Sequence, residues 1–198
     1  AAVLGLAGLA WVATGCDYDD GRNKAHDFDP PATRCAVPSA PAPLATDRVV
    51  GDGTPGSCTE DALRTAVSQG GNVTFQCGGG DTTIPVSSEI TVPEDTHLDG
   101  GGRVTLDGGG ATRLLHTEAR VALVVKGLRF VNGDARGSDP GSGGAIRLGW
   151  RSTLAAFDCV FEDNEAAQDG IEGGGAIYQA SGGETTLVRC DFRRNRSI

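Results

Sequence analysis

The sequence predicts an all-β solenoid, in which short strands wind into stacked rungs behind one short helix. Three observations predict it. Phe130, Phe161 and Phe192 are 31 residues apart at both steps, and the pairs Gly143/Gly174, Cys159/Cys190 and Asn164/Asn195 keep that interval. Aligned on the phenylalanines, LVVKGLRFVNG, LAAFDCVFEDN and TTLVRCDFRRN carry apolar residues two apart, which is the period of a strand and not of a helix. Glycine contributes 31 of 198 residues, about double its ordinary share and without the collagen triplet, as a fold with frequent tight turns requires.

A 31-residue unit of this kind cannot bury its own inner face. Stacking the next unit at about 4.8 Å supplies the missing hydrogen bonds and covers that face. Residues at the period then stand in columns: Phe130, Phe161 and Phe192 as an inward aromatic ladder, Asn164 and Asn195 as a ladder of turn amides. Upstream, residues 71–130 alternate short β-branched runs with GGG, DG and Pro breaks, and four or five rungs fit between Val73 and Ile198. One segment has helical character. Ser57 or Thr59 can cap EDALRTAVSQGG, which places Ala62, Leu63, Ala66 and Val67 on one face and stops at Gly70-Gly71, giving a helix over about 59–69. Such a helix covers the N-terminal end of the stack, where strand edges would otherwise be bare.

GGAI followed by FxxN occurs twice, at Gly143–Ile146 with Phe161–Asn164 and at Gly174–Ile177 with Phe192–Asn195. This motif resembles the polymorphic outer membrane protein repeat of chlamydial surface proteins. The preceding CTEDALRTAV, VTFQCGGG and LDGGGRVTLDGGG are similar to the first rungs of bacterial pectin-lyase-like proteins. The resemblance covers about Asp47 to Ile198 and implies a right-handed parallel β-helix. It does not fix an activity, because that fold carries lyases, hydrolases and adhesins alike.

The chain opens on AAVLGLAGLAWVATGC, apolar over residues 1–15 and too short for the roughly 20 residues of a membrane-spanning helix. It reads as the core of an export signal whose first residues are missing. Ala13-Thr14-Gly15-Cys16 resembles a bacterial lipobox, with Ala13 where Leu is usual, and makes Cys16 the expected lipidation site; a plain secretory signal is the alternative. Asp17 leaves the membrane leaflet open. Residues 16–46, with DPPATRCAVPSAPAPLATD, read as a disordered Pro/Ala-rich tether. The β-helix then occupies 47–198 and stops within a repeat, as a fragment would.

Net charge is −9, and the 17 basic residues form no stripe, which argues against nucleic acid as a partner. The expected partners are a membrane, through the lipid anchor, and a glycan or surface protein. Cys58 and Cys77 flank the helix and first strand and are expected to form a disulfide. Cys159 and Cys190 share a column, where a thiol ladder and a bond both fit, and Cys35 lacks an evident mate. There is no CxxC, and His26, His97 and His116 are far apart, so no zinc site is expected. Asp99 and Asp107 precede glycine runs, and NGDARGSDPG gathers Asp134, Arg136 and Asp139 in one turn that could take a cation or sugar. Asp-Gly is equally what a turn demands. No catalytic residue is assigned; Asp19-Asp20 is the sole double Asp, and it lies in the tether. The expectation is a structural or adhesive surface module without a cofactor. The alternative is a polysaccharide lyase or glycoside hydrolase, and only there is calcium implied.

Overall fold

In the computed structural model, residues 37–138, 141–167 and 173–198 are described. Among them every strand pairing is parallel, and the strands stack in columns as a β-helix. The longest column runs through six rungs: β1 (Asp47–Val50), β2 (Gly71–Phe75), the first half of β5 (Thr96–Asp107), the first half of β7 (Ala122–Val131), β9 (Thr153–Phe157) and β13 (Glu184–Val188). Beside it, β3 (Thr82–Pro85), the second halves of β5 and β7, β10 (Val160–Glu162) and β14 (Asp191–Arg193) continue the same sheet. A second face stacks β4 (Ile90–Val92), β6 (Leu115–Thr117), β8 (Ile146–Leu148) and β12 (Ile177–Gln179). A narrow third face pairs β11 (Glu165–Ala166) with β15 (Arg196–Ser197), and an Asp134–Glu165 bridge extends it one rung down.

The period is not constant. Paired residues in the first column are 25 apart at the first two steps, then 27, then 31 twice. The extra length of the later rungs lies in the turn after the long face, which is 108–114 in the third rung but 132–145 in the fourth. Within β5 the register slips between Asp99 and Val104, so Gly100–Gly102 stand out as a bulge.

The interior follows from the strand alternation. Val73, Leu98, Val125 and Ala156 form one inward column and are all buried. Another runs Ile84, Leu106, Phe130, Phe161, Phe192. The phenylalanine rings stack with centroids 5.0 and 4.7 Å apart and planes 7° and 10° from parallel, so they follow the strand spacing. Phe130 and Phe161 are fully buried, whereas Phe192, in the last rung, is 44% exposed. Beside them Asn164 Nδ2 donates to Asn195 Oδ1 at 2.8 Å and to Phe130 O at 3.0 Å, and Asn195 Nδ2 repeats the bond to Phe161 O at 2.8 Å.

Helix α1 (Glu60–Ser68) has Thr59 as its N-cap, with the Thr59 hydroxyl accepting from Ala62 N at 3.2 Å. It buries Leu63, Ala66 and Val67 toward β1, β2 and β4, covering the first rungs. Cys58 and Cys77 are bonded, their Cα atoms 5.3 Å apart, and closing that 19-residue separation contributes about 3 kcal/mol in the chain-entropy account. The end of the Pro/Ala segment is tied to the stack as well: Leu44 N donates to Asn72 Oδ1 at 2.8 Å, and Asn72 N to Thr46 O at 2.7 Å. Cys16 and Cys35 lie outside the described residues.

Glu60 clamps the helix to the turn before β4. It accepts from the Ser87 hydroxyl at 2.7 Å, from Ser87 N at 3.0 Å and from Arg64 Nη2 at 2.6 Å, and Arg64 in turn donates to Ser88 O and Glu89 O. Burial alone would raise this carboxyl, but the Ser87, Arg64 and Ser88 donors outweigh it and bring it down to about 2. The folded pKa is therefore below the free value of 4.5, so the clamp stabilises fully above that pH and fades as pH falls toward 2. Glu60→Ala is expected to cost about 2 kcal/mol at pH 7. Urea midpoints of the two proteins should converge by about pH 2; a gap unchanged between pH 7 and that point would refute the clamp.

Candidate functional site

The corners of the β-helix are left-handed backbone positions repeated at 31 residues. Arg120, Arg151 and Gly182 form one such column (φ 64°, 58°, 79°), Gly127, Asp158 and Arg189 a second (56°, 53°, 52°), and Asn132, Asp163 and Arg194 a third (51°, 54°, 51°). Asn and Asp tolerate this region because their short side chains bond locally; an arginine there costs about 1–2 kcal/mol.

Two of these columns offset the cost with ion pairs between successive rungs. Arg189 Nε reaches Asp158 Oδ1 at 2.5 Å, and Arg194 reaches Asp163 at 2.7 Å and Glu162 at 2.5 Å. Arg196 pairs with Glu165 in the same way. Hydrogen bonds from these arginines hold the Asp158 and Asp163 carboxyls below the usual range. The fifth rung is thus acidic where the sixth is basic. Such pairs are exposed and individually weak, and they favour one register of stacking.

The turn that sequence marks as a ligand site is closed on itself. Arg136 donates to Asp134 from Nε at 3.0 Å and from Nη2 at 2.5 Å, and its Nη1 lies 3.0 Å from Glu165 Oε2. The hydrogen bond from Arg136 also pulls the Asp134 carboxyl down. Asp139 lies outside the described residues. Asp99 pairs with Lys126 at 3.0 Å, and Asp107 Oδ1 accepts from Gly109 N and Asn132 Nδ2. Among the described residues no group of three or more His, Cys, Asp or Glu is arranged to hold a metal ion.

Cys159 and Cys190 are free thiols on consecutive rungs. The adjacent thiol and burial raise Cys159, and the same neighbour lowers Cys190; Cys159 Sγ lies 3.2 Å from Phe157 O and Cys190 Sγ 3.4 Å from Ala156 O. His97 is half-buried in β5, where burial lowers its pKa against the pull of Asp95.

The second face carries a polar column that identical-residue spacing does not reveal. His116, Arg147 and Tyr178 are in register on β6, β8 and β12 and point outward. Arg147 Nη1 lies 3.2 Å from His116 Nε2, and its guanidinium carbon is 5.8 Å from the Tyr178 ring centroid. Arginine can only donate, so Nε2 accepts and the His116 proton sits on Nδ1, 3.4 Å from Glu89 Oε1. Glu89 also receives Arg113, which is 2% exposed and donates through Nε to Ser142 O and Gly143 O at 3.1 Å each. Next along the chain, Trp150 stands at the corner, 45% exposed, with the guanidinium carbons of Arg120 and Arg151 4.9 and 4.3 Å from its ring centroid.

Chemically, the turn acids Asp107, Asp134, Asp158 and Asp163 are engaged, and the lone pair on His116 Nε2 faces Arg147. Donors with spare capacity gather at one corner: Arg120, Arg151 and the indole N–H of Trp150. No known protein family, curated protein or solved structure matches this chain, which leaves its own residues to carry the functional reading.

Proposed function

We propose that the chain is an exported β-helix of the outer-membrane-repeat kind, anchored through a lipid on Cys16, that serves as a structural or adhesive module at the cell surface. One observation supports this reading over catalysis. Six of the seven outward carboxylates described in the later rungs, Asp134, Asp158, Glu162, Asp163, Glu165 and Asp191 but not Glu184, are paired with an arginine of the same or a neighbouring rung. A lyase or glycosidase site needs carboxylates free to bind a cation or move a proton beside a groove. The GGAI and FxxN segments support the repeat kinship through what they do in the stack, forming the turn into β8 and β12 and the Phe/Asn ladders.

The test is enzymatic. Full-length protein incubated with polygalacturonate, with and without calcium, is expected to release neither ultraviolet-absorbing unsaturated products nor reducing ends above the buffer control. Sustained release of either overturns the structural reading in favour of a lyase or a hydrolase.

A further inference from the structure

Among the four corner arginines, Arg189 and Arg194 have carboxylate partners, and Arg120 and Arg151 have none among the described residues. These two lie in register on adjacent rungs: Ala122 pairs with Thr153, and Arg120 N donates to Trp150 O at 2.9 Å. The two backbones therefore stand one rung apart, about 4.8 Å, in the left-handed region that disfavours arginine, and both guanidiniums lie against the one indole. At the equivalent corners the arginines Arg189 and Arg194 are neutralised by carboxylates of the adjacent rung, whereas Arg120 and Arg151 meet only the Trp150 indole. Two exposed guanidiniums held against an exposed indole, without a carboxylate partner among the described residues, present an unneutralised cationic surface to solvent.

The local chemistry narrows the ligand that fits such a surface. Arg120, Arg151 and the indole N–H present only donors, so the complementary group is acceptor-only and negative: a carboxylate, sulfate or phosphate. Packing against the indole orders the guanidiniums, and Gly182 gives Arg151 room, since a Cβ there would lie 3.0 Å from Arg151 Cγ. The nearby acids are Glu118, two residues before Arg120, and Asp95, whose Oδ1 accepts from Ala122 N at 2.8 Å; neither forms an ion pair with the corner arginines among the described residues. A single small anion would leave the neighbouring column unused, where Tyr178 presents a ring beside Arg147. Net charge decides between extended ligands. At −9 the chain is repelled by an anionic bilayer as a whole, whereas a slender polymer can meet one basic patch locally.

We propose that the Trp150 corner binds an anionic polysaccharide, with Arg120 and Arg151 gripping its carboxylate or sulfate groups and the indole and Tyr178 offering apolar faces to its sugar rings. This deepens the adhesive reading above and rests on it.

The test uses the full chain in affinity electrophoresis through gels containing alginate, dextran sulfate or neutral dextran, with phosphatidylglycerol vesicles as a separate sedimentation arm. Alginate and dextran sulfate distinguish carboxylate from sulfate, and retardation by at least one of them, weakening with salt, is expected. The double variant Arg120→Asn/Arg151→Asn should bind at least ten-fold more weakly, while Arg103→Ala, remote from the corner, should bind as the parent does. Because Asn suits the left-handed backbone, the double variant should melt at the same temperature as the parent or higher, an outcome a merely structural role for the arginines would reverse. The proposal is overturned by absence of retardation in both anionic gels, by equal retardation of the double variant, or by binding confined to vesicles. None of those outcomes touches the cleavage assay, so the two readings fail separately.

Discussion

Phe161→Ala is expected to destabilise the protein by about 4 kcal/mol, the middle of the range for deleting a buried aromatic ring. The ring is fully buried, with Phe130 5.0 Å below and Phe192 4.7 Å above. In a helical bundle the neighbours could close part of the gap. Here they cannot, because Val160–Glu162 are hydrogen-bonded in register to strands on both sides, and the ladder spacing holds the rungs apart. The cavity therefore stays open. Phe192→Ala should cost only about 1–2 kcal/mol, since its ring is half in solvent already. Equilibrium urea unfolding followed by circular dichroism checks both values. Stability in a solenoid is a sum of rung and interface contributions, so hydrogen exchange should accelerate in β9 to β15 of the Phe161 variant while β2 and the first half of β5 keep their protection. Equal costs for the two substitutions would contradict the ladder.

What sequence made legible follows from what repeats. Phe, Asn and the GGAI glycines recur as identical residues because the interior columns and tight corners admit few alternatives, so the last rungs could be counted directly. The earlier rungs, stepping by 25, 25 and 27 residues, carry no such identities. Their inner column holds Ile84 and Leu106 where later rungs hold Phe, and aliphatic residues in a short strand give alternation but no phase. Gly100–Gly102 read as a turn between strands, and in the structure they are a bulge inside one. The helix was legible from its capping residue and apolar stripe, both local properties. Asp134 and Arg136 were legible as a charged turn but not as partners, since loop backbone decides whether two side chains meet. The corner at Trp150 had a signal in plain view: 116, 147 and 178 are spaced by 31, as are 120 and 151. A search for identical residues passes over His116, Arg147 and Tyr178 because the side chain changes from rung to rung, whereas Arg120 and Arg151 do repeat but stand outside the apolar and glycine positions that mark the stack.

Gly144→Ala is expected to cost about 3 kcal/mol or more and to detach the last rungs from the stack, although a methyl group is all that is added. Gly144 is the second glycine of the first GGAI. A Cβ there would penetrate the carbonyl oxygen of Glu165 and lie 2.6 Å from Gly175 O and 2.8 Å from Glu165 N. Every one of these atoms is backbone, so no side chain can swing aside. Moving the backbone would break the ladder in which Gly143 N, Gly144 N and Ala145 N donate to Gly174 O, Gly175 O and Ala176 O at 3.0, 2.9 and 2.8 Å. The Asp134–Glu165 bridge that begins the narrow third face would go with it. Gly79 supplies the contrast: nothing lies within 4 Å of a Cβ built there and its φ is not positive, so Gly79→Ala should be neutral or stabilising by up to about 1 kcal/mol. The two alanine variants, compared by urea midpoint and by limited proteolysis of the C-terminal rungs, separate close backbone approach from glycine content as such. If Gly144→Ala melts with the parent, the two GGAI segments do not set the distance between rungs, and their repetition needs another cause.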